Sequence, residues 1–463
     1  MYLKYSIFSY TRAYVKHVDL TKLYGWGLLG ILLLIVVHAP LTVMLGTAFP
    51  EYNNLLRSWK EIALALLAMI AVVLVTRRKL WSKLLHDPLI LLSLTYIDIH
   101  LLLAVAFGGD ANSLIAGLMI DLRFVAMFLL AYVLGTLWPD VLPKVARVTA
   151  AGAAIVLGFG LLQITVLPDD VLRHIGYAKD VNIAPFITID RNPDFVRINS
   201  TLRGPNPLGA LTIVYAALVV AYLIRRNHTA RLRRKVIAAS TGAASVAVLF
   251  ATYSRSAYGA FVAALAVAAV AGSRLTKRFV VLGVAGLIVV AGALALLSSS
   301  DWYSNVILHE DPESPVATKS NDEHVASLAE GSSRMMRQPF GAGIGSTGSA
   351  SLYDKDVTND IVIENYYLFV AHEAGWIGLA VFIALFVTTL VALWRRRDGW
   401  MALGLLASGV GLGLIGLLLP IWNDDTIAII WWGLSGVVLG VPRDIIGGRH
   451  GRTTRKQKAT GTT

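Results

Sequence analysis

Three arginines have the residue type and the setting to bind a charged substrate. Arg197 and Arg203 lie in the segment VRINSTLRGPNPLGA, just before an apolar run that starts at Pro207. Arg255 lies in the short segment YSRS between two other apolar runs. Guanidinium groups bind phosphate oxygens in a bidentate manner, so these arginines predict a phosphate-binding site. The alternatives are a loop tied down by salt bridges to nearby aspartates and, for Arg255, a snorkelling side chain at a helix end.

Two residues further along the chain could accept a proton. His324 is a candidate general base, because imidazole titrates near neutral pH. Glu364, just before an apolar run, could share that role. For His324 the alternative is an ordinary histidine on a helix surface. For Glu364 it is a solvated acid favoured by the dipole at a helix N-terminus.

The segment around His324 has the pattern of an amphipathic helix. Ser320 and Glu323 form a capping box, which satisfies free amide donors at a helix start. Apolar residues then follow with helical spacing, and Pro339 with three glycines ends the pattern. We predict a helix over 321–337 that packs close to the external ends of the sixth to eighth predicted spans (207–224, 236–253 and 256–272), so that His324 approaches Arg203 and Arg255.

The composition indicates a membrane protein. Hydrophobic residues make up 56% of the 463-residue chain, charged residues only 15%, and the mean hydropathy is +0.64. Soluble proteins carry about a quarter charged residues. The chain has no cysteine, which excludes disulfides and thiolate chemistry. No group of residues has metal-ligand spacing, and we expect no metal or cofactor.

The apolar runs predict an all-α polytopic membrane protein with twelve spans, each close to the ~20 residues that cross a bilayer. Residues 1–24 are predicted to be a cytoplasmic segment without a cleavable signal peptide, 25–441 a single transmembrane domain, and 442–463 a basic disordered cytoplasmic tail. The predicted spans are 25–45, 61–76, 87–107, 114–137, 148–167, 207–224, 236–253, 256–272, 279–298, 365–394, 400–421 and 426–441.

Seven basic clusters fall on one side of the membrane when the chain is threaded through these spans. By the positive-inside rule this side is the cytoplasm, and both termini lie there. The net charge of +12 therefore reports orientation and not nucleic-acid binding. Two long loops, 168–206 and 299–364, are predicted to be external. The first is rich in arginine against the topological bias, and we add its Arg191 to the predicted phosphate site.

Several ionisable residues are predicted to lie inside spans. Such residues are functional candidates because their burial in lipid is costly. For the pair in the fourth span the alternative is an internal ion pair. The intramembrane candidates are Asp98, His100, Asp121, Arg123, His372 and Glu373.

Four stretches, in this order, resemble the bacterial O-antigen ligase / O-antigen polymerase superfamily over about 120–390. These proteins are polytopic enzymes that move a glycan from an isoprenoid diphosphate carrier to an acceptor outside the cytoplasm. The resemblance implies that the superfamily's loop arginine is Arg203, with Arg197 nearby. It implies that the arginine of the superfamily's Ser-Arg motif is Arg255. The matching stretches are STLRGPNPLGA, TYSRSAYGAF, HVASLAEG followed by QPFGAGIGSTG, and ENYYLFVAHEAGWIGLAVF.

One position departs from the ligase pattern. Ligases have a histidine directly before the asparagine that opens the tenth span, and here that residue is Glu364. His324 matches a variant pattern found in other members. The departure favours a polysaccharide polymerase over a strict lipopolysaccharide ligase.

The resemblance also implies the partners and the location. It implies a bacterial plasma (inner) membrane enzyme with its active site on the extracytoplasmic side. The donor would be an oligosaccharide on a polyprenyl diphosphate such as undecaprenyl diphosphate. The other partners would be a glycan or lipid-linked acceptor, membrane lipids and further polysaccharide assembly proteins.

Two other classes remain as alternatives. A secondary transporter or lipid-linked glycan flippase would also have twelve spans, but would place charges at the bilayer midplane and keep its external loops short. A non-catalytic scaffold would not need arginines on the external side. The two long arginine-bearing loops favour an enzyme. Because arginines can stabilise a diphosphate leaving group without a metal, and attack from the opposite face would invert the anomeric centre, we predict a metal-independent, inverting glycosyltransferase.

Overall fold

The computed structural model confirms an all-α, multi-pass architecture. It is 79% helical, and one two-stranded sheet is its only β-structure among the described residues. Nine described helices are long and apolar enough to cross a membrane, and two more are apolar but shorter. The side chains of 307, 308 and 317–324 are not described. The structure describes residues 19–178, 183–189, 192–226, 230–272, 300, 303–308, 317–354 and 363–443.

Eleven of the twelve predicted spans coincide with described helices. The twelfth, 279–298, lies outside the described residues, so the total of twelve stays a prediction. The first span bends at a short 3-10 turn between α1 and α2. The helices are α1 (Leu20–Leu34), α2 (His38–Ala48), α3 (Asn53–Arg57), α4 (Trp59–Arg77), α5 (Trp81–Leu85), α6 (Pro88–Phe107), α7 (Ala111–Leu137), α8 (Leu142–Thr165), α9 (Pro205–Arg226), α10 (Leu232–Ala251), α11 (Arg255–Gly272), α12 (Ala317–Arg337), α13 (Gly348–Ser351), α14 (Tyr366–Trp394), α15 (Trp400–Ile415) and α16 (Asp425–Gly440).

The closest helix pair in the bundle is α7 with α16. At Gly436 and Gly440 of α16 an added Cβ would collide with the backbone carbonyls of Phe128 and Tyr132 on α7. Small residues let two helix backbones approach closely in this way. Close approach matters in a membrane, because no hydrophobic driving force brings helices together there and van der Waals packing must do so. This packing holds the N-terminus of α16 in a fixed position beside α7.

A second group of helices, α9, α11 and α15, packs through alanine and glycine. Gly404 of α15 faces the backbone of Leu218, and Gly411 faces the carbonyl of Ala260 on α11. The predicted span 400–421 ends early, at Ile415. The last carbonyls of a helix have no partner within that helix. At the end of α15 the Gly416 carbonyl accepts a hydrogen bond from the Tyr366 N–H, at the start of α14, at 2.8 Å.

The glycine-rich segment after α12 folds into a break in α14. Gly375, inside α14, has φ +67° and ψ −170°, so the helix is interrupted there. The neighbouring backbone groups bond to the glycine-rich segment instead. Ala342 donates to the carbonyl of His372 at 2.6 Å, and Trp376 donates to that of Pro339 at 2.9 Å. The positive φ at Gly375 explains why a glycine stands there.

The two predicted external loops contain structure that the sequence patterns did not all indicate. In the first, β1 (Ile187–Ile189) pairs antiparallel with β2 (Asn192–Arg197), a hairpin that was not predicted. In the second, α12 ends at Arg337 as predicted but begins at Ala317, four residues before the predicted start, so Ser320 lies inside the helix and the predicted capping box is wrong. Its main contact among the described residues is with α14, not with the spans over 207–272, as Gly331 beside Ile363 and Leu368 shows.

Candidate active site

A single buried carboxylate gathers four basic side chains at one end of the bundle. Oδ2 of Asp425 lies 3.1 Å from His38 Nε2 and 3.1 Å from Lys60 Nζ. The same oxygen lies 3.6 Å from Arg123 Nη1 and 3.8 Å from Arg203 Nη2. Glu61 adds a second acid. We call this group the Asp425 cluster, and its members are His38, Lys60, Glu61, Arg123, Arg203 and Asp425.

Glu61 connects the two most buried cations of the cluster. Its carboxylate lies 3.4 Å from Lys60 Nζ and 3.8 Å from Arg123 Nε. Lys60, Arg123 and Arg203 thus face the carboxylates of Glu61 and Asp425, and Asp424 adds a third carboxylate beside Arg203. A surplus of positive charge, which favours binding of an anion in a low-dielectric setting, therefore arises when Asp424 is protonated.

Exposure differs sharply among the members. The side chains of Asp425 and Lys60 are 3% and 5% exposed, whereas that of Arg203 is 55% exposed. Arg203 is therefore the member through which a ligand from outside the bundle can reach the cluster. The buried members lie behind it.

The cluster forms where three helices begin. Lys60 and Asp425 lie in the first turns of α4 and α16, and Arg203 lies two residues before α9. Helix N-termini carry unsatisfied N–H groups and a partial positive charge. Asp424 caps α16, accepting hydrogen bonds from the backbone N–H groups of Thr426 and Ile427 at 3.0 and 3.1 Å.

A strained turn fixes the backbone that carries Arg203. Ser200 has φ +51°, which is uncommon for a residue with a Cβ. Its N–H donates to Gln163 Oε1 at 2.7 Å, and its hydroxyl donates to the Val156 carbonyl at 2.6 Å. The neighbouring Thr201 donates to the Val36 carbonyl at 2.6 Å. These bonds tie the turn to α8 and to the bend between α1 and α2.

Burial and the charges of the cluster shift the pKa values of two groups outside the spans, Arg203 and Asp424. The Asp425 carboxylate raises the pKa of Arg203, so that arginine stays charged. Burial, and then the negative charge of Asp425, raise the pKa of Asp424 to about 6. Protonation of Asp424 near this pH would increase the positive surplus beside Arg203.

Arg197 and Arg255 lie near each other. Arg197 donates to the Thr252 carbonyl at 2.8 Å and to Asn206 Oδ1 at 2.7 Å. Burial lowers its pKa to about 10, and repulsion by Arg255 acts in the same direction. Arg197 thus joins β2, the end of α10 and the start of α9. Arg255 opens α11 directly after Tyr253, which has φ +48°.

Of the other predicted site residues, Arg191 lies outside the described residues. His324 is on α12, but its side chain is not described. Glu364 immediately precedes the N-cap of α14, and its backbone N–H donates to Ser327 Oγ at 3.0 Å. Ser327 and His324 are three residues apart on α12 and therefore lie on the same helix face. The helix position of the predicted base is thus next to Glu364.

The intramembrane candidates do not form the internal pair that was considered. Asp121 and Arg123 are two residues apart on α7 and point to different neighbours. Oδ2 of Asp121 lies 4.0 Å from His100 Nε2, and Asp121 also lies close to Glu373 of α14. The backbone N–H of Thr347, beyond the glycine-rich segment, donates to Glu373 Oε1 at 3.3 Å.

The sequence patterns did not single out four members of the cluster. Lys60, Glu61 and Asp425 lie at predicted span boundaries, where charged side chains ordinarily contact lipid headgroups. His38 lies inside the first predicted span. The signal that could have found them is the general rule that ionisable residues within apolar spans are functional candidates.

This fold and site define a multi-pass helical membrane protein with a cationic, partly buried site at one end of its bundle. Residues 240–383 match the family model described as O-Antigen ligase. The match confirms the recognition of the O-antigen ligase / O-antigen polymerase superfamily. This family indicates a glycosyl-transferring membrane enzyme that acts on lipid-linked oligosaccharide donors and glycan acceptors. No curated protein matches the chain.

Proposed function

We propose that this protein transfers a glycan from an isoprenoid diphosphate carrier to an acceptor sugar on the extracytoplasmic side of the bacterial inner membrane. Its product would be a cell-surface polysaccharide, made by polymerisation or by ligation to a lipid acceptor. The observation that carries the proposal is Arg203, half-exposed in front of the buried Asp425 cluster. A diphosphate that reaches Arg203 also comes under the charge of Lys60 and Arg123.

The transfer reaction needs positively charged side chains beside the negatively charged leaving group. As the bond between the anomeric carbon and the phosphate oxygen breaks, the isoprenyl diphosphate leaves with the bonding electron pair. Preorganised cations aimed at this growing charge lower the barrier. We assign this role to Arg203, with Arg197 of the same loop and Arg255 at the start of α11, and propose that the reaction does not require a metal ion.

A base must take the proton of the attacking hydroxyl. The acceptor oxygen forms its new bond at the anomeric carbon on the face opposite the diphosphate, which inverts the configuration. His324 and Glu364 are the candidates for the base. The hydrogen bond from Glu364 to Ser327 supports a shared site, because it connects α12 to the residue that precedes α14.

The same distribution of charge argues against the transporter. A transporter of lipid-linked glycans would use charges at the bilayer midplane and open alternately to both sides. The Asp425 cluster instead lies where α4, α9 and α16 begin, with Arg203 exposed at that end. This placement favours a site open to one side of the membrane.

The decisive experiment is transfer from a purified isoprenoid-diphosphate oligosaccharide to an acceptor glycan by the purified protein in nanodiscs. We expect product with an inverted anomeric centre, in the presence and in the absence of EDTA. Activity lost in EDTA and restored by a divalent ion would refute the metal-free mechanism. Movement of intact donor across a vesicle membrane, without bond cleavage, would favour the flippase.

A further inference from the structure

An apolar groove of about 640 Å³ lies between α8, α9 and α10, far from the Asp425 cluster. This volume is in the range of ~300–1,000 Å³ typical of ligand sites. Most of its lining consists of small or aliphatic side chains, including Ala150, Ala153 and Leu157 of α8 and Leu218 of α9. A groove with this lining can bind a hydrocarbon chain.

One mouth of the groove is cationic. Arg147 of α8 and Arg234 of α10 line it, and both are exposed. Within the part of the chain that the structure describes, neither forms an ion pair with a carboxylate. Arg147 donates only to the carbonyl of Pro143 in its own helix, at 3.3 Å. The two guanidinium groups therefore retain donors for an external anion.

Two aromatic rings lie at the same mouth. Tyr222 of α9 and Trp400 of α15 line the groove, with ring centroids 5.4 Å apart at an interplanar angle of 88°. Tyrosine and tryptophan concentrate at the level of lipid headgroups. The arginines thus match a lipid headgroup, the aromatic rings match the interface below it, and the apolar groove matches an acyl chain.

We propose that this groove binds an anionic phospholipid of the cytoplasmic leaflet, with its phosphate between Arg147 and Arg234 and an acyl chain along α8. Basic pockets between helices on the cytoplasmic side bind acidic headgroups in this way. The site is distinct from the proposed donor site. Along α9, Tyr222 lies 17 residues after Pro205, which at ~1.5 Å per residue separates the two ends by about 25 Å.

The charge at the mouth distinguishes this occupant from the isoprenoid chain of the donor. The charged group common to isoprenoid-diphosphate donors is the diphosphate, which the proposed function assigns to Arg203. An isoprenoid tail reaching this groove would bring neutral hydrocarbon to the two arginines. A phospholipid headgroup complements them.

Native mass spectrometry of the full-length protein tests the site. The protein is extracted from nanodiscs of equal parts phosphatidylglycerol and phosphatidylcholine, and the retained lipid is counted. We expect wild type to retain phosphatidylglycerol selectively, and Arg147→Gln/Arg234→Gln to retain it about thirtyfold less, since each of the two basic residues contributes about 1 kcal/mol and about 1.4 kcal/mol is a factor of ten. The matched control is Arg77→Gln/Arg78→Gln, which removes the same charge from two exposed arginines outside the groove.

A second pair of variants tests the groove itself. Ala150 lines the groove, and its neighbour Ala151 is also exposed but does not. Ala150→Trp should abolish selective retention, and Ala151→Trp should leave it unchanged. Equal retention of the two lipids by wild type, or equal loss in the control variants, would overturn the proposal. So would an Ala150→Trp protein that keeps phosphatidylglycerol but loses its preference for long-chain over short-chain isoprenoid donors.

Discussion

Nη2 of Arg203 lies 3.8 Å from Oδ2 of Asp425, and this contact joins the segment that precedes α9 to the start of α16. Asp425 is buried and Arg203 is half-exposed. The pair therefore orients an arginine whose remaining donors face outward.

Removal of Arg203 should abolish most of the transfer activity. Loss of one charge-assisted donor aimed at developing charge costs ~10²–10³ in rate, so Arg203→Ala should lose that much kcat. Arg203→Lys should recover only part, because an ammonium group lacks the bidentate geometry. Initial rates with saturating donor measure this effect. Arg173→Ala, at an exposed arginine of the same loop, is the control, and wild-type activity in Arg203→Ala would refute the assigned site.

Asp425→Asn should destabilise the fold as well as the site. It leaves Lys60 and Arg123 buried without their main counter-charge, and breaking a buried ion pair costs about 3–5 kcal/mol. Thermal unfolding in detergent should show a lower midpoint than wild type. The double variant Lys60→Met/Asp425→Asn should recover part of the loss. An unchanged midpoint in Asp425→Asn would contradict the buried ion cluster.

Donor binding should strengthen as the pH falls through about 6, the raised pKa of Asp424. Below this pH Asp424 is neutral, and the surplus of positive charge near Arg203 is larger. We expect the donor KM to fall between pH 7.5 and 5.5. Asp424→Asn keeps an N-cap for α16 and should show a low KM at both values. A KM in Asp424→Asn that still varies like that of wild type would assign the titration to another group.

The same shift has a consequence for stability. The pKa of Asp424 is raised from 3.8 to about 6, so the folded state disfavours its ionised form. Its contribution to stability is present below pH 4 and is lost as the pH rises through 6. The unfolding midpoint of wild type relative to Asp424→Asn should therefore fall over this interval.

The rank order of two variants should identify the base. If His324 accepts the proton, His324→Ala should lose nearly all activity and Glu364→Gln should be milder. The loss should lie in kcat, with donor binding retained, because a base acts on the acceptor hydroxyl. The opposite ranking would assign the base to Glu364. Comparable amounts of each variant in the membrane are the control.

Gly345→Ala should perturb the segment that supports Glu373. Gly345 has φ +79°, and a Cβ there would collide with the Ser113 carbonyl of α7. A non-glycine residue in such a conformation costs about 1–3 kcal/mol, so the unfolding midpoint should fall. Gly259→Ala is the control, since a Cβ at that helical glycine meets open space. A midpoint unchanged by Gly345→Ala would contradict the wedged position of the segment.

Sequence alone determined the membrane class and most of the elements. Apolar runs near 20 residues are unambiguous because lipid forces every backbone polar group to bond within its own helix. The terminator at Pro339 located the end of α12 closely, because it is a local signal, whereas the predicted capping box at Ser320 was wrong, because α12 already begins at Ala317. The ordered motifs also sufficed for the superfamily, as the match over residues 240–383 confirms.

Only the tertiary structure decided which charges meet. Asp425 is far in sequence from His38, Lys60, Arg123 and Arg203, and no local pattern links them. They converge because glycines on α16 let it approach α7, and because the strained turn at Ser200 directs Arg203 toward the start of α16. Helical periodicity reports the face that a residue occupies on its own helix. It does not report the partner that packs against that face, which depends on how all the helices close around one another.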